Sequence, residues 1–299
     1  MEKYNLKNKK IRKITVACYD AGGSEIVSSW LKSNKIKFFP FLGGPAKKIF
    51  KKRFKRLRKI KLSHALSKSD LVVTGTSIKS NLELNIIKAA KKKNLITKSF
   101  IDHWVNYKKR FVRKNHKIVL PNKIITGDIY AKKKAERIFS KKKIEYLKNP
   151  LWEEIKAKRK KNKKELTNIK ILFTSSYFKK KDKINPEIKF TGPELIEKFL
   201  NKISIFFPKK KIKSIVIRHH PSESINKYKK FINKKKKISL DNNEDLIKSI
   251  NLSTHIVGCE SMAMVHAKLL GKQTINIDIG APRLRTIPKK YFNKLIKVF

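Results

Sequence analysis

Residues 101–107 read IDHWVNY: a carboxylate, an imidazole and two aromatic rings in quick succession. Asp102 is suited to orient His103, and His103 to act as a general base on a hydroxyl. Trp104 and Tyr107 carry the flat faces that stack on a sugar or a base. The same residues also fit a packed aromatic turn with an Asp cap. DAGGSE, at 20–25, is the second group. Gly22 and Gly23 let backbone approach a ligand, and the free N–H groups of a helix start, with Ser24 among them, favour an anion. Asp20 can accept a proton or cap that helix.

Two further groups lie in the second half. RHHPSES (218–224) joins Arg218 to two histidines at a strand end. Arg218 and His220 suit a phosphate, Glu223 suits a ribose, Pro221 ends the strand and Ser222 is placed to cap the following turn. Adjacent histidines point to opposite sides of an extended chain, so one of the two reaches a ligand. GCESMAMVHAKLLGK (258–272) places Glu260 and Ser261 in the first turn of a helix. Glu260 can accept two ribose hydroxyls, and Ser261 can cap. Met262, Val265 and Leu269 fall at core spacing, His266 is a structural histidine, and Gly271 ends the helix. No metal-ligand spacing, P-loop or complete GxGxxG pattern occurs, so no metal is expected.

All four groups follow short apolar runs. KITVACYD (13–20), IKFFPFLGG (36–44), LVVTG (71–75), TKSFID (97–102) and KIITGD (123–128) read as strands, with helical patterns between most of them. A near-pure run of charge at 155–168 marks a boundary. IKILFTSS, SIVIRHHP, KKISLD, THIVG and KQTINID supply five more strands. The fold class expected is α/β: two Rossmann-like doubly wound domains facing a cleft, at 1–155 and 156–299.

Of 299 residues, 77 are Lys or Arg and 22 are Asp or Glu, a net charge of +55. Only 11 of the 77 are Arg. Dedicated nucleic-acid readers lean on arginine, whose planar fork grips phosphate. Lysine spread over helix exteriors is instead what an AT-rich coding sequence produces, and no specific nucleic-acid partner is expected. KKIFKKRFKRLRKIK (47–61) has 10 basic residues in 15, with Phe50, Phe54 and Leu57 on one helical face. It reads either as an interfacial helix on anionic lipid or as an ordinary domain helix with a lysine exterior. Cys18 and Cys259 sit in apolar runs and read as buried thiols of a reducing compartment. No apolar run approaches the ~20 residues of a membrane span. The expected location is cytoplasmic, with peripheral contact at the inner face of the membrane.

The second half resembles the nucleotide-binding domain of GT-B-fold glycosyltransferases and their relatives, which include nucleotide-sugar epimerases, sialyltransferases and polyol-phosphate transferases. The likeness rests on Arg218-x-His220-Pro221, the strand HIVG, Gly258-x-Glu260-Ser261, a helix ending Gly271-Lys272, and the strand TINID. It implies that His220 contacts donor phosphates, that Glu260 or Ser261 binds ribose or phosphate, and that the first half, with Gly22 and Gly23, is the acceptor domain. The second glutamate of the retaining enzymes is not evident, and the C-terminal helices are expected to be short. The expected function is an inverting, metal-independent glycosyltransferase. It needs no cofactor, takes a nucleotide-activated sugar as donor, and uses a surface-glycan or lipid-linked acceptor. Asp102, His103 and Asp20 are the candidate bases, in that order. A nucleotide-sugar 2-epimerase, or a non-catalytic basic module on nucleic acid or membrane, are the alternatives.

Overall fold

The computed structural model describes residues 13–112, 118–159, 168–178, 188, 190–208, 211–280 and 285–297. The chain divides into two compact units, Met1–Glu154 and Ile155–Phe299. The charged run at 160–167 lies outside the described residues.

The first unit holds six strands: β1 (Ile14–Cys18), β2 (Phe38–Leu42), β3 (Leu71–Thr74), β4 (Ile96–Ile101), β5 (Lys123–Thr126) and β6 (Ile144–Tyr146). They form one parallel sheet in the order β2-β1-β3-β4-β5-β6. Helices α1 (Ala21–Ser33), α2 (Ala46–Arg53), α3 (Leu62–Ser67), α4 (Leu82–Lys92) and α5 (Ile129–Glu136) connect them, and α6 (Pro150–Ala157) leads out of the unit. The period of two explains the layering. Ile14, Val16 and Cys18 of β1, with Leu71 and Val73 of β3, pack with Ile26, Val27 and Phe50 on one face. Ala17 and Val72 pack with Ile86 and Ala90 of α4 on the other. Both faces are covered, so the central strands are continuous apolar runs.

The second unit repeats this plan with β7 (Ile169–Thr174), β8 (Ile212–Arg218), β9 (Ile238–Leu240), β10 (His255–Gly258), β11 (Gln273–Asp278) and β12 (Lys294–Lys297). Its parallel sheet runs β12-β11-β10-β7-β8-β9. Renumbered within the unit, that is the 3-2-1-4-5-6 order of dinucleotide-binding folds. The helices are α7 (Gly192–Asn201), α8 (Ile203–Phe206), α9 (Leu246–Leu252) and α10 (Met262–Leu269). Leu195, Ile196 and Phe199 of α7 seal one face of the sheet against Ile171, Phe173, Ile217 and Ile275. Thr191 and Glu194 form a reciprocal capping box that fixes where α7 begins.

The expected helix over 47–61 is corrected. α2 ends at Arg53, and Phe54 is extended. Lysines and arginines spaced three and four apart repel one another along a helix. Leaving the helix lets Phe54 and Leu57 join Phe50 and Phe38 in the core, with Phe38 and Phe54 ring centroids 4.9 Å apart.

Candidate functional site

In open parallel sheets, ligands bind beyond the carboxyl ends of the strands, where the strand order reverses. In the first unit that point lies between β1 and β3. Gly23 sits so close to Gly75 that a Cβ on it would be 3.1 Å from the Gly75 Cα. The turn after β4 joins them. A Cβ on Gly22 would collide with Asp102 Oδ2. The other oxygen, Oδ1, accepts from Arg110 Nη1 at 2.5 Å, and the same nitrogen donates to Thr76 Oγ1 at 2.9 Å. The turns after β1, β3 and β4 are thus stitched together by Asp102 and Arg110. Beneath them, buried Glu83 of α4 accepts from the Tyr19 N–H at 2.8 Å.

His103 stands beside this cluster. It is half-buried, and its Nδ1 is sealed from solvent with no partner among the described residues. Burial lowers its pKa; Asp102 pulls it up, and Arg110 and Lys134 push it down again. The imidazole is therefore neutral near pH 7 and able to accept a proton. Asp20 precedes α1 in an extended conformation and makes no side-chain cap. Ser24 is fully buried, and its hydroxyl donates to the Asp20 carbonyl at 2.6 Å, which corrects its expected place in an anion-binding turn. The stacking role expected of Trp104 and Tyr107 is corrected too. Both rings are only 2% exposed. Trp104 Nε1 donates to Asp128, which caps α5, so the Asp cap of this aromatic turn is Asp128.

In the second unit the strand order reverses between β7 and β10. Ser176 Oγ, after β7, donates to the Cys259 carbonyl after β10. The two histidines after β8 diverge. His219 tilts towards buried Tyr228. His220 stacks on the exposed ring of Tyr177, centroids 5.8 Å apart and planes 27° apart, and its Nδ1 accepts from the Ser222 N–H at 3.0 Å. Ser261 caps α10 through the Ala263 N–H.

Four expectations for this unit are corrected. Arg218 faces its own sheet: it donates to Asp241 at 2.5 Å and to the carbonyls of Asn243 and Glu244 at 2.8 and 3.2 Å. Burial alone would raise the Asp241 carboxyl; hydrogen bonds from Ser249, Arg218 and Asn243 outweigh it and hold the pKa below the usual range. Arg218 therefore ties β8 to the loop after β9. Glu223 is buried, and its carboxylate accepts from Tyr228 at 2.6 Å and Ser175 at 3.4 Å within its own unit. Ser222 caps nothing; Ser224 takes that role, ahead of a 3₁₀ turn. Glu260 has φ of 47°, and its carboxylate holds neighbouring chain. Oε2 accepts from the N–H groups of Thr286 and Ile287 at 2.7 and 2.9 Å, and Oε1 from the Asn276 amide at 2.7 Å. These donors occupy the carboxylate that was expected to hold ribose hydroxyls.

Sequence reasoning missed Arg110, Glu83 and Tyr177. Only Arg110 carried a signal: arginine is scarce in this chain, and four of the eight described arginines, Arg53, Arg110, Arg218 and Arg285, form ion pairs with carboxylates.

Two solved structures share this architecture. One is a UDP co-structure of S. aureus MnaA, with TM-score 0.61 and 12% identity, covering 90% of this chain and 80% of that one. The other is the UDP-GlcNAc 2-epimerase of Methanocaldococcus jannaschii, with TM-score 0.60 and 13% identity, covering 95% and 88%. The fold is of the GT-B type. No protein-family model matches the chain, and no curated protein does. No described helix is long and apolar enough to cross a membrane.

Proposed function

We propose that this GT-B-type protein is an enzyme of nucleotide-activated sugars, and specifically an inverting, metal-independent glycosyltransferase with a surface-glycan or lipid-linked acceptor. The observation that carries the reading is the pair Tyr177–His220. An exposed aromatic ring stacked on an imidazole stands past the strand ends, beside the reversal point of a 3-2-1-4-5-6 sheet. A nucleotide offers what such a site recognises: a flat base and a phosphate. In the transfer, His103 takes the proton of the acceptor hydroxyl. The acceptor oxygen then forms its bond to the sugar C1 as the C1–O bond to phosphate breaks. The nucleotide leaves with its negative charge stabilised by His220 and the positive end of the α10 dipole.

A 2-epimerase is the second reading, favoured by the architecture shared with the M. jannaschii enzyme. It needs the donor alone. Thermal stabilisation by UDP, GDP, CDP and CMP and their sugar conjugates, at about 0.15 M salt so that unspecific anion binding to a +55 chain is screened, tests the donor site. A shift selective for one base, lost in Tyr177→Ala and His220→Ala, is expected. Absence of any selective shift overturns the reading and leaves a non-catalytic basic module. Incubating the selected donor without acceptor then separates the two reactions: an epimerised sugar means an epimerase, and an unchanged donor means a transferase.

A further inference from the structure

The segment 54–58 leaves α2 and runs beside the edge strand β2, and the two enclose an open groove of about 370 Å³ with the end of α1. Its floor is apolar, made by Leu31, Ile36, Phe38, Pro40, Phe54 and Leu57. Its rim is cationic throughout: Lys32, Lys35, Lys37, Arg56 and Arg58, all exposed. No carboxylate lines it. The nearby carboxylates of Glu25 and Glu154 are both bound to Arg53, at 2.7 and 2.6 Å, so they do not neutralise the rim. None of the five rim cations has an ion-pair partner among the described residues.

We infer that this groove is a docking site for an acidic phospholipid bilayer, with lipid phosphates on the five cations and acyl chain on the apolar floor. The case rests on complementarity. A cationic ring around an apolar floor matches a surface that is anionic outside and hydrocarbon beneath. Nucleic acid fits less well. The side chains of the floor offer no hydrogen-bonding groups to base edges, and Phe38 and Phe54 meet edge to face instead of lying as parallel stacking platforms. Proline within the edge strand β2 also blunts pairing with another sheet, which argues against a second copy as occupant. The groove lies where β2 begins and α1 ends, while the turns around Gly22 and Asp102 lie where the strands finish. A docked bilayer therefore leaves the candidate catalytic turns open.

The whole chain would be floated with vesicles of phosphatidylcholine containing phosphatidylglycerol, and with phosphatidylcholine alone, at about 0.15 M salt, where the screening length is ~8 Å. Each basic side chain at an anionic surface contributes roughly fivefold to partition. R56S/R58S should lose about 25-fold in binding to the acidic vesicles. K91S/K92S, at the exposed end of α4, removes the same charge and should lose about twofold or less by the same reasoning. Equal losses would mean that binding follows net charge, and would overturn the proposal. A Leu57→Trp variant gives an independent readout. The fluorescence of the introduced indole should be quenched by brominated acyl chains, whereas the native Trp30, Trp104 and Trp152 are buried; an unquenched signal from that indole on bound protein would exclude acyl contact. Single-stranded RNA that displaces the vesicles, and whose own binding falls with R56S/R58S, would make the groove a nucleic-acid site and overturn the lipid assignment.

Discussion

Single residues do two different jobs in this chain, and arginine and lysine divide them. Arg110 and Arg218 are held in fixed geometry by carboxylates and carbonyls, as a planar, always-charged fork allows. Lysine covers the outside. The consequence at the candidate active site is that Asp102 has no room to move: Arg110 holds one oxygen and the Gly22 backbone lies against the other. Gly22→Ala tests this. In an open helix, alanine for glycine would stabilise by about 1 kcal/mol. Here the new methyl group meets a carboxylate that cannot swing aside, and overpacking of that kind costs about 1–3 kcal/mol; the clash should win. Asp102→Ala should destabilise as well, by leaving Arg110 buried without its partner. The double variant should be no less stable than Asp102→Ala alone, because its clash is gone. Denaturant unfolding of the four proteins would show this as a coupling. Simple addition of the two losses would mean that the contact does not govern Asp102.

Among the elements, ten strands were legible in the sequence, and one edge strand of each sheet was not. The ten apolar runs read as strands correspond to β1–β5 and β7–β11. The two missed strands, Ile144–Tyr146 and Lys294–Lys297, are short, lie at the outer edges of their sheets and are flanked by lysine. These two edge strands bury little and carry charge against unwanted pairing, so they lack the apolar run that marks even the opposite edges, β2 and β9. The site was legible only as far as which turns carry polar side chains. Direction was not, because Arg218, Glu223 and Glu260 all sit at strand ends yet meet partners on distant segments: Asp241, Tyr228 and Thr286. His266 on α10 was read as structural, and its burial has a measurable consequence. The ring is half-buried and its Nδ1 is sealed and unpartnered, so burial lowers its pKa to about 4. The folded protein keeps it neutral where the unfolded chain, near 6.5, binds a proton. Stability from this group is complete above pH 6.5 and falls as pH drops from there to about 4. The full span corresponds to about 3 kcal/mol, and partial exposure of the ring brings it to about 1–2 kcal/mol. His266→Leu should flatten the fall in Tm between pH 7 and 5 and leave only the part due to other groups such as His103. An unchanged slope in the variant would show that His266 does not titrate across unfolding.

At the scale of the whole molecule, the governing quantity is +55 charges on 299 residues. Such an excess repels itself in the compact state more than in the expanded one. Salt then acts in two opposing ways. It screens repulsion among exposed lysines, which stabilises, and it screens attractive ion pairs, which destabilises. The attractive pairs with most to lose are Arg53 with Glu25 and Glu154, Arg110 with Asp102, and Arg218 with Asp241, and in each at least one partner is largely sheltered from solvent. Sheltered pairs are screened least, and exposed lysines most. The repulsive effect should therefore dominate. Raising sodium chloride from about 0.01 to about 0.15 M, which shortens the screening length from ~30 to ~8 Å, should stabilise each unit by about 1–3 kcal/mol. For units of about 150 residues that is a rise in Tm of roughly 3–10 °C. Chloride is the salt to use, because sulfate also stabilises by exclusion from protein surface and would confuse the two effects. A Tm that stays flat or falls over this range would mean that the sheltered ion pairs outweigh the lysine repulsion.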